Sequence, residues 1–341
     1  MADTSDNNRP PVPGNIGTDE GVREVTRSPK TVQGALFWTL LGGACMYAGV
    51  ELACVIVAYG LGLSLQGGRG SRRSSFVVSC LASVLICVLA GPEQIPYALV
   101  GCLAAFAFSG DGSEAEVSTG TKCLAVLVLA ALGAGIDATY AYLNGTNLPA
   151  LIDQAVRTYA KVASQSTSAD MSDQIATVRA LAKVYWPMAF VSNAIVQALC
   201  AHVGGVLAAR KRNARTTRTF SEFDAPVWVA IVFVVGVVLS LAGPYVPTWS
   251  SQVKMVGENV LNTARIALGL QGLAVAMWYA RKAGLGPLTR ALLVVFAFYL
   301  EASFLIVSVL GLVDIFVANF RELPRGKAKS QQNPRESKES A

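Results

Sequence analysis

The 341-residue chain is poor in charge, and only 15% of its residues are Asp, Glu, Lys or Arg. A typical soluble protein carries roughly 25%. It has a single histidine, His202. Its seven cysteines, Cys45, Cys54, Cys80, Cys87, Cys102, Cys123 and Cys200, form no CxxC pair. A zinc site or a disulfide framework therefore has little support, and the cysteines read as small apolar fillers. There is no HExxH, no GxSxG and no phosphate-binding glycine loop. No paired carboxylates suggest a hydrolase, so no enzyme, cofactor or metal is expected.

What the chain has instead is apolar sequence: 53% of its residues are hydrophobic and its mean hydropathy is positive. Several runs are long enough to cross the roughly 30 Å hydrocarbon core of a bilayer. Alternating ten-residue segments, the mark of a membrane barrel, are absent. The fold class is all-α: a polytopic integral membrane helical bundle of about 8–10 hydrophobic segments, in the cell membrane. The net charge of +6 lies in short loops and tails. Inside-positive bias explains this better than nucleic-acid binding.

Five regions follow. Residues 1–30 and 321–341 read as disordered polar tails, the second basic. Residues 31–143 and 184–320 carry the membrane helices, and residues 144–183 interrupt them. The first run, Thr31 to Leu65, would be about 52 Å long as one helix, so two short helices in a hairpin are expected. A basic turn "QGGRGSRRSS" precedes a third helix from about Phe76 to Ala90, and a short fourth ends at Phe108. The loop "SGDGSEAEVSTGTK" is acidic, which argues against placing it inside. A fifth helix runs to Leu143. In 144–183, Leu148, Leu151, Ile152, Val156, Tyr159 and Val162 share one helical face, and Met171, Ile175, Val178 and Leu181 share another. This predicts an amphipathic extracytoplasmic hairpin lying on the bilayer or over the bundle mouth. Helix six (about Trp186 to Ala209) ends in "RKRNARTTR". Helix seven covers about Pro226 to Leu241, and helix eight about Val256 to Tyr279 before "RKAGLGPLTR". The last run, Leu288 to Phe320, must enter and return if the basic loops and tail are all cytoplasmic. A break near Glu301 allows this; a single tilted helix is the alternative.

Ionisable groups inside a membrane are costly and often functional. Glu51, Asp137, Arg265, Glu301 and Asp314 stand in apolar runs. Glu51, Asp137 and Asp314 read as structural intramembrane charges. Asn193, Gln197 and Gln271, with Glu301, are the substrate-binding candidates, and interhelical bonding is the competing role for each amide. Asp314 and Arg321 are seven residues apart. On one helix they would be separated by about 10 Å along the axis, too far for simple direct contact. Arg321 is then expected to reach the headgroups, leaving Asp314 to pair with Arg281, Lys282 or Arg290.

The second half carries a recognisable order of segments: "AARKR", "FDAPVWVAI", "NTARIALGLQGLAVAMWYARK" and "LGLVDIFVANFR". This order resembles the YybS-like predicted membrane proteins, a family of unknown function (domain-of-unknown-function family 2232). The likeness covers residues 180 to 322 closely and 31 to 143 loosely. That family is in turn similar to the substrate-binding S components of energy-coupling-factor transporters. The resemblance implies a small-molecule ligand and a coupling subunit docked on small-residue patches, for which Ala44 with Ala48, or Ala58 with Gly62, are candidates. Against this stands a membrane scaffold without substrate, whose only certain partner is the lipid bilayer. The first predicts a closed polar cavity near mid-membrane; the second predicts the amides bonded to neighbouring helices.

Overall fold

The computed structural model describes residues 29–110, 118–166, 172–212, 220–317 and 321. Of the tails expected at 1–30 and 321–341, residues 1–28 and 322–341 lie outside these residues, whereas Pro29 and Lys30 open the first helix and Arg321 is buried. Eleven α-helices and no strand occur among them: α1 (Pro29–Cys45), α2 (Val50–Ser64), α3 (Gly68–Ala90), α4 (Ile95–Phe108), α5 (Thr119–Leu143), α6 (Leu148–Ser166), α7 (Ser172–Lys211), α8 (Val227–Ala242), α9 (Ser250–Lys282), α10 (Pro287–Phe304) and α11 (Ile306–Phe316). Six helical segments are long and apolar enough to cross a membrane, and α8 and α11 are shorter apolar helices. The protein is a polytopic helical membrane protein.

The first and last long runs are both hairpins. The first breaks after Cys45, and the last breaks at Leu305, which takes a left-handed conformation at φ 60°. Two boundaries differ from those read in the sequence. Helix α3 starts at Gly68, so Arg72 stands on the helix rather than in a loop. Its guanidinium donates to the Phe106 carbonyl at 2.6 Å and lies over the Phe106 ring at 4.5 Å. A cation at the C-terminal end of α4 meets the negative pole of that helix, which favours helix over loop here. The second amphipathic helix of the 144–183 insertion is continuous with helix six: both belong to the 40-residue α7, through Pro187. Its length is about 60 Å, twice a hydrocarbon core. Its first part pairs with α6 as an arm beyond the bundle rather than as a separate capping hairpin.

Close packing is built on small residues. A Cβ on Gly204 would lie 2.2 Å from the Val55 carbonyl oxygen, and one on Gly62 would lie 2.5 Å from Ala208. Ala58 and Gly62 are therefore consumed by the α2–α7 contact and are not a free docking patch. Ala48 lies in the turn after α1, so Ala44 and Ala48 do not form a helical pair. The α9–α11 crossing is closer still: a Cβ on Gly272 would stand 1.9 Å from the Val307 oxygen, and one on Gly311 2.0 Å from the Leu268 oxygen. Backbone cannot yield as a side-chain tip can, so Gly311→Leu should separate these helices. Overpacking of this kind costs about 1–3 kcal/mol or more. Thermal unfolding in detergent should show a lower midpoint for Gly311→Leu and an unchanged one for Gly135→Leu, where a Cβ meets nothing within 4 Å.

Contacts also fix which loops share an end of the bundle. Gly62 meets Ala208 and Gly205, Gly205 meets Ser109, and Gly120 meets Trp228 and Pro226. Arg281 donates to Ser221 Oγ at 3.0 Å, and Arg321 to the Ser221 carbonyl at 3.0 Å. The stretches at 64–72, 205–212, 220–228 and 281–287 and Arg321 thus lie at one end. Ser109 and Gly120, which flank the acidic loop, lie there too, contrary to the charge argument. Hairpin parity decides this: α4 returns toward the end from which α3 set out.

The arm is held by Asp153 of α6. Arg179 of α7 donates to it at 2.6 and 3.0 Å, and Arg157 at 2.9 Å. The Arg179 hydrogen bond, helped by Arg157, draws the Asp153 carboxyl from its ordinary 3.8 down to about 2. A depressed carboxyl stabilises the folded form above its ordinary value and loses that contribution as pH falls through the folded one. The α6–α7 contact should loosen between about pH 4 and pH 2. Hydrogen exchange across α6 should accelerate in that window in the native chain and show no such step in Asp153→Asn.

Candidate functional site

The densest polar cluster lies where α9, α11 and the 220–226 segment meet. Asp314 is fully buried in α11. Arg321 is buried beside it and donates from Nε at 3.1 and 3.2 Å and from Nη2 at 2.6 Å. The distance expected for a continuous helix does not apply, because α11 ends at Phe316 and the chain leaves the helical rise before Arg321. Arg321 is therefore the direct partner of Asp314, not a headgroup anchor. Arg281 instead donates to Ser221, and Arg290 to the Leu285 carbonyl at 2.7 Å. Nη1 of Arg321 also donates to the carbonyls of Ser221 and Phe223, at 3.0 and 2.9 Å.

Gln271 of α9 completes the cluster. Its Nε2 donates to Asp314 at 2.5 Å and to Asp224 at 3.2 Å, and its Oε1 accepts from the Ala225 backbone at 2.7 Å. Arg321 lies 3.5 Å from Asp224 as well. Both ends of the Gln271 amide are thus committed to protein groups, and the site is a lock between three chain segments. A cation and an anion so buried are stable only when their remaining polar atoms are also paired.

A second cluster sits near the midpoint of α9, at the α10–α11 break. Arg265 Nε donates to Glu301 at 2.7 Å, and its Nη2 donates to the Glu301 carbonyl at 3.0 Å. Glu301 also accepts from Ser308, at 2.8 Å from the backbone N–H and 2.6 Å from the hydroxyl. The carboxylate thus takes one of the free N–H groups at the start of α11, that of Ser308, while Arg265 takes a carbonyl at the end of α10. This helps a left-handed Leu305 to be tolerated there, because each broken helix end gains a charged side-chain partner.

The other candidates are dispersed. Gln197 Nε2 donates to Asn193 at 2.7 Å on the same helix, and buried Gln197 Oε1 has no hydrogen-bond partner. Asp137 of α5 accepts from the Tyr97 hydroxyl of α4. Glu51 is exposed in the first turn of α2, and His202 is exposed on α7. Asn193 and Gln197, Gln271, and Glu301 thus occupy three separate surroundings. A cavity of about 50 Å³ lies instead between α6 and α7, lined by Ile152, Asp153, Val156, Arg179 and Trp186 among others. No group of three or more metal-ligating side chains occurs among the described residues.

One key residue escaped the sequence reading. Asn259 of α9 is buried; its Oδ1 accepts from Met188 N at 3.1 Å, and its Nδ2 donates to the Val184 carbonyl at 2.7 Å. Pro187 was the available signal, since a proline inside a helix leaves carbonyls in need of donors. No sequence spacing tells which distant amide supplies them.

No curated protein and no solved structure matches the chain. The model of the family described as "Predicted membrane protein (DUF2232)" matches residues 38–315. That range runs from within α1 into α11 and includes the Gln271–Asp314 and Arg265–Glu301 contacts. By this match the chain belongs to the DUF2232 family of predicted membrane proteins.

Proposed function

We propose that the chain is a multi-pass membrane scaffold, a rigid bundle that positions other membrane components without itself processing a substrate. The observation that carries this reading is the saturation of the deep polar groups. Gln271, Asp314, Arg321, Arg265 and Glu301 bond to one another and to backbone across four segments. Such groups hold helices together at about 1–2 kcal/mol per bond or less, and a ligand would have to displace them. Outward, α5 and α10 present Leu124, Leu132, Leu292, Phe296 and Phe298 to the surroundings, an apolar flank suited to lipid or neighbouring helices. The end carrying the basic stretches is assigned to the cytoplasm by the inside-positive bias.

Native mass spectrometry of the detergent-released protein tests the scaffold. The chain should carry lipids only; a stoichiometric non-lipid small molecule would overturn it. A transporter-type binding subunit, like the S components, is the second reading. One observation favours it: the buried, unpaired Gln197 oxygen beside Asn193. Loss of such a copurified molecule in Gln197→Leu would place it there. Orientation is checked by impermeant thiol labelling in a cysteine-free chain. Lys161→Cys, exposed on α6, should react from outside, and Arg212→Cys should not. The reverse pattern would invert the assignment.

A further inference from the structure

Helix α7 runs uninterrupted through Pro187, although proline donates no N–H and its ring crowds the carbonyl of residue 183. At this point the Asn259 amide spans one turn of the helix. It takes the Met188 N–H at 3.1 Å and gives a hydrogen to the Val184 carbonyl at 2.7 Å. Its second Nδ2 hydrogen goes to Met255 of its own helix at 2.7 Å. The adjoining residues add to this contact: Tyr185 faces Glu258, which Lys254 approaches at 3.7 Å. Beyond this point α7 leaves the bundle and pairs with α6 through Asp153 and Arg179.

We propose that Pro187 and Asn259 form a pinned pivot, which holds the arm of α6 and the first part of α7 as one body at one angle to the membrane bundle and frees it when the Asn259 pin is withdrawn. Proline weakens the helix at the pivot, and a side chain inserted at the same turn is a recognised cause of helix bending. The inserted side chain belongs to α9, so the position of the arm is referred to the helix that carries Arg265 and Gln271. Without the pin, the Val184 carbonyl and the Met188 N–H are left to each other alone, in a turn that proline has already weakened, and the arm gains freedom.

The test measures spin-label distances in the full chain in lipid nanodiscs. The native cysteines are replaced, and labels are placed by Thr158→Cys on the arm and Tyr245→Cys on the bundle, both exposed positions. The unaltered pivot should give one narrow distribution. Asn259→Ala should widen it by about twofold or more, as expected of a freed bend. Adding Pro187→Ala should narrow it again, because a continuous helix needs no pin. A distribution that Asn259→Ala leaves narrow, or that Pro187→Ala fails to restore, would overturn the proposal. Should Asn259→Ala alone fail to fold, recovery of folded protein in the double variant supports the pivot, and no recovery contradicts it.

Discussion

Asp314→Ala is expected to cause one of the two largest losses of folded protein among single substitutions in this chain. The change removes the partner of a guanidinium that is itself fully buried. Arg321 would keep its bonds to the Ser221 and Phe223 carbonyls, but among the described residues its charge would be compensated only by Asp224 at 3.5 Å. Breaking a buried pair by removing one member typically costs about 3–5 kcal/mol. Against a total stability of about 5–15 kcal/mol for a typical domain, that is a large fraction. The yield of monodisperse protein and its thermal midpoint in detergent should both fall. Asp314→Asn, which keeps the volume and one acceptor, should fall less. An unaltered midpoint in Asp314→Ala would mean that the lock contributes nothing to the fold.

Glu301→Ala should produce the second large effect, through different physics. Its partner Arg265 stands near the midpoint of a long apolar helix, and about a third of its side chain is exposed. In water that exposure would screen the pair and shrink its value. In a bilayer the open side meets hydrocarbon, where an uncompensated arginine costs about 2.5–3.5 kcal/mol on insertion scales. The substitution also uncaps the start of α11, removing the side-chain acceptor of the Ser308 N–H and leaving the Ser308 hydroxyl only the Arg265 carbonyl at 3.2 Å. Hydrogen exchange should rise specifically around 304–310. Arg265→Leu combined with Glu301→Leu should recover most of the lost midpoint, since neither charge is then left alone. If the double variant is as unstable as the sum of the singles, the pair is not a unit.

The helical membrane fold was legible in the sequence because it depends on run length and composition. The two overlong runs also betrayed their hairpins, since neither fits one span. Loop charge was a poor guide to side: Ser109 and Gly120, which flank the acidic loop, share an end with the basic stretches because α3 and α4 form a hairpin. The continuity of α7 was hidden because the amphipathic stripe through Leu181 and the membrane run from about Trp186 read as two helices. The Asp314–Arg321 contact was hidden by an assumption of unbroken helix. The chain turns after Phe316, and a turn rather than a rise decides the distance. The bonds of Gln271 to Ala225, Asp224 and Asp314 join residues more than 40 apart, and no local pattern encodes such pairings.

The central claim is that the deep polar groups hold the bundle together. It is tested most directly by a double-mutant cycle on Asp314 and Arg321, read as unfolding free energy in detergent. Asp314→Leu and Arg321→Leu should each be strongly destabilising and the double variant more stable than either, with a coupling of up to about 3 kcal/mol. Single effects that simply add, with no coupling, would contradict the claim.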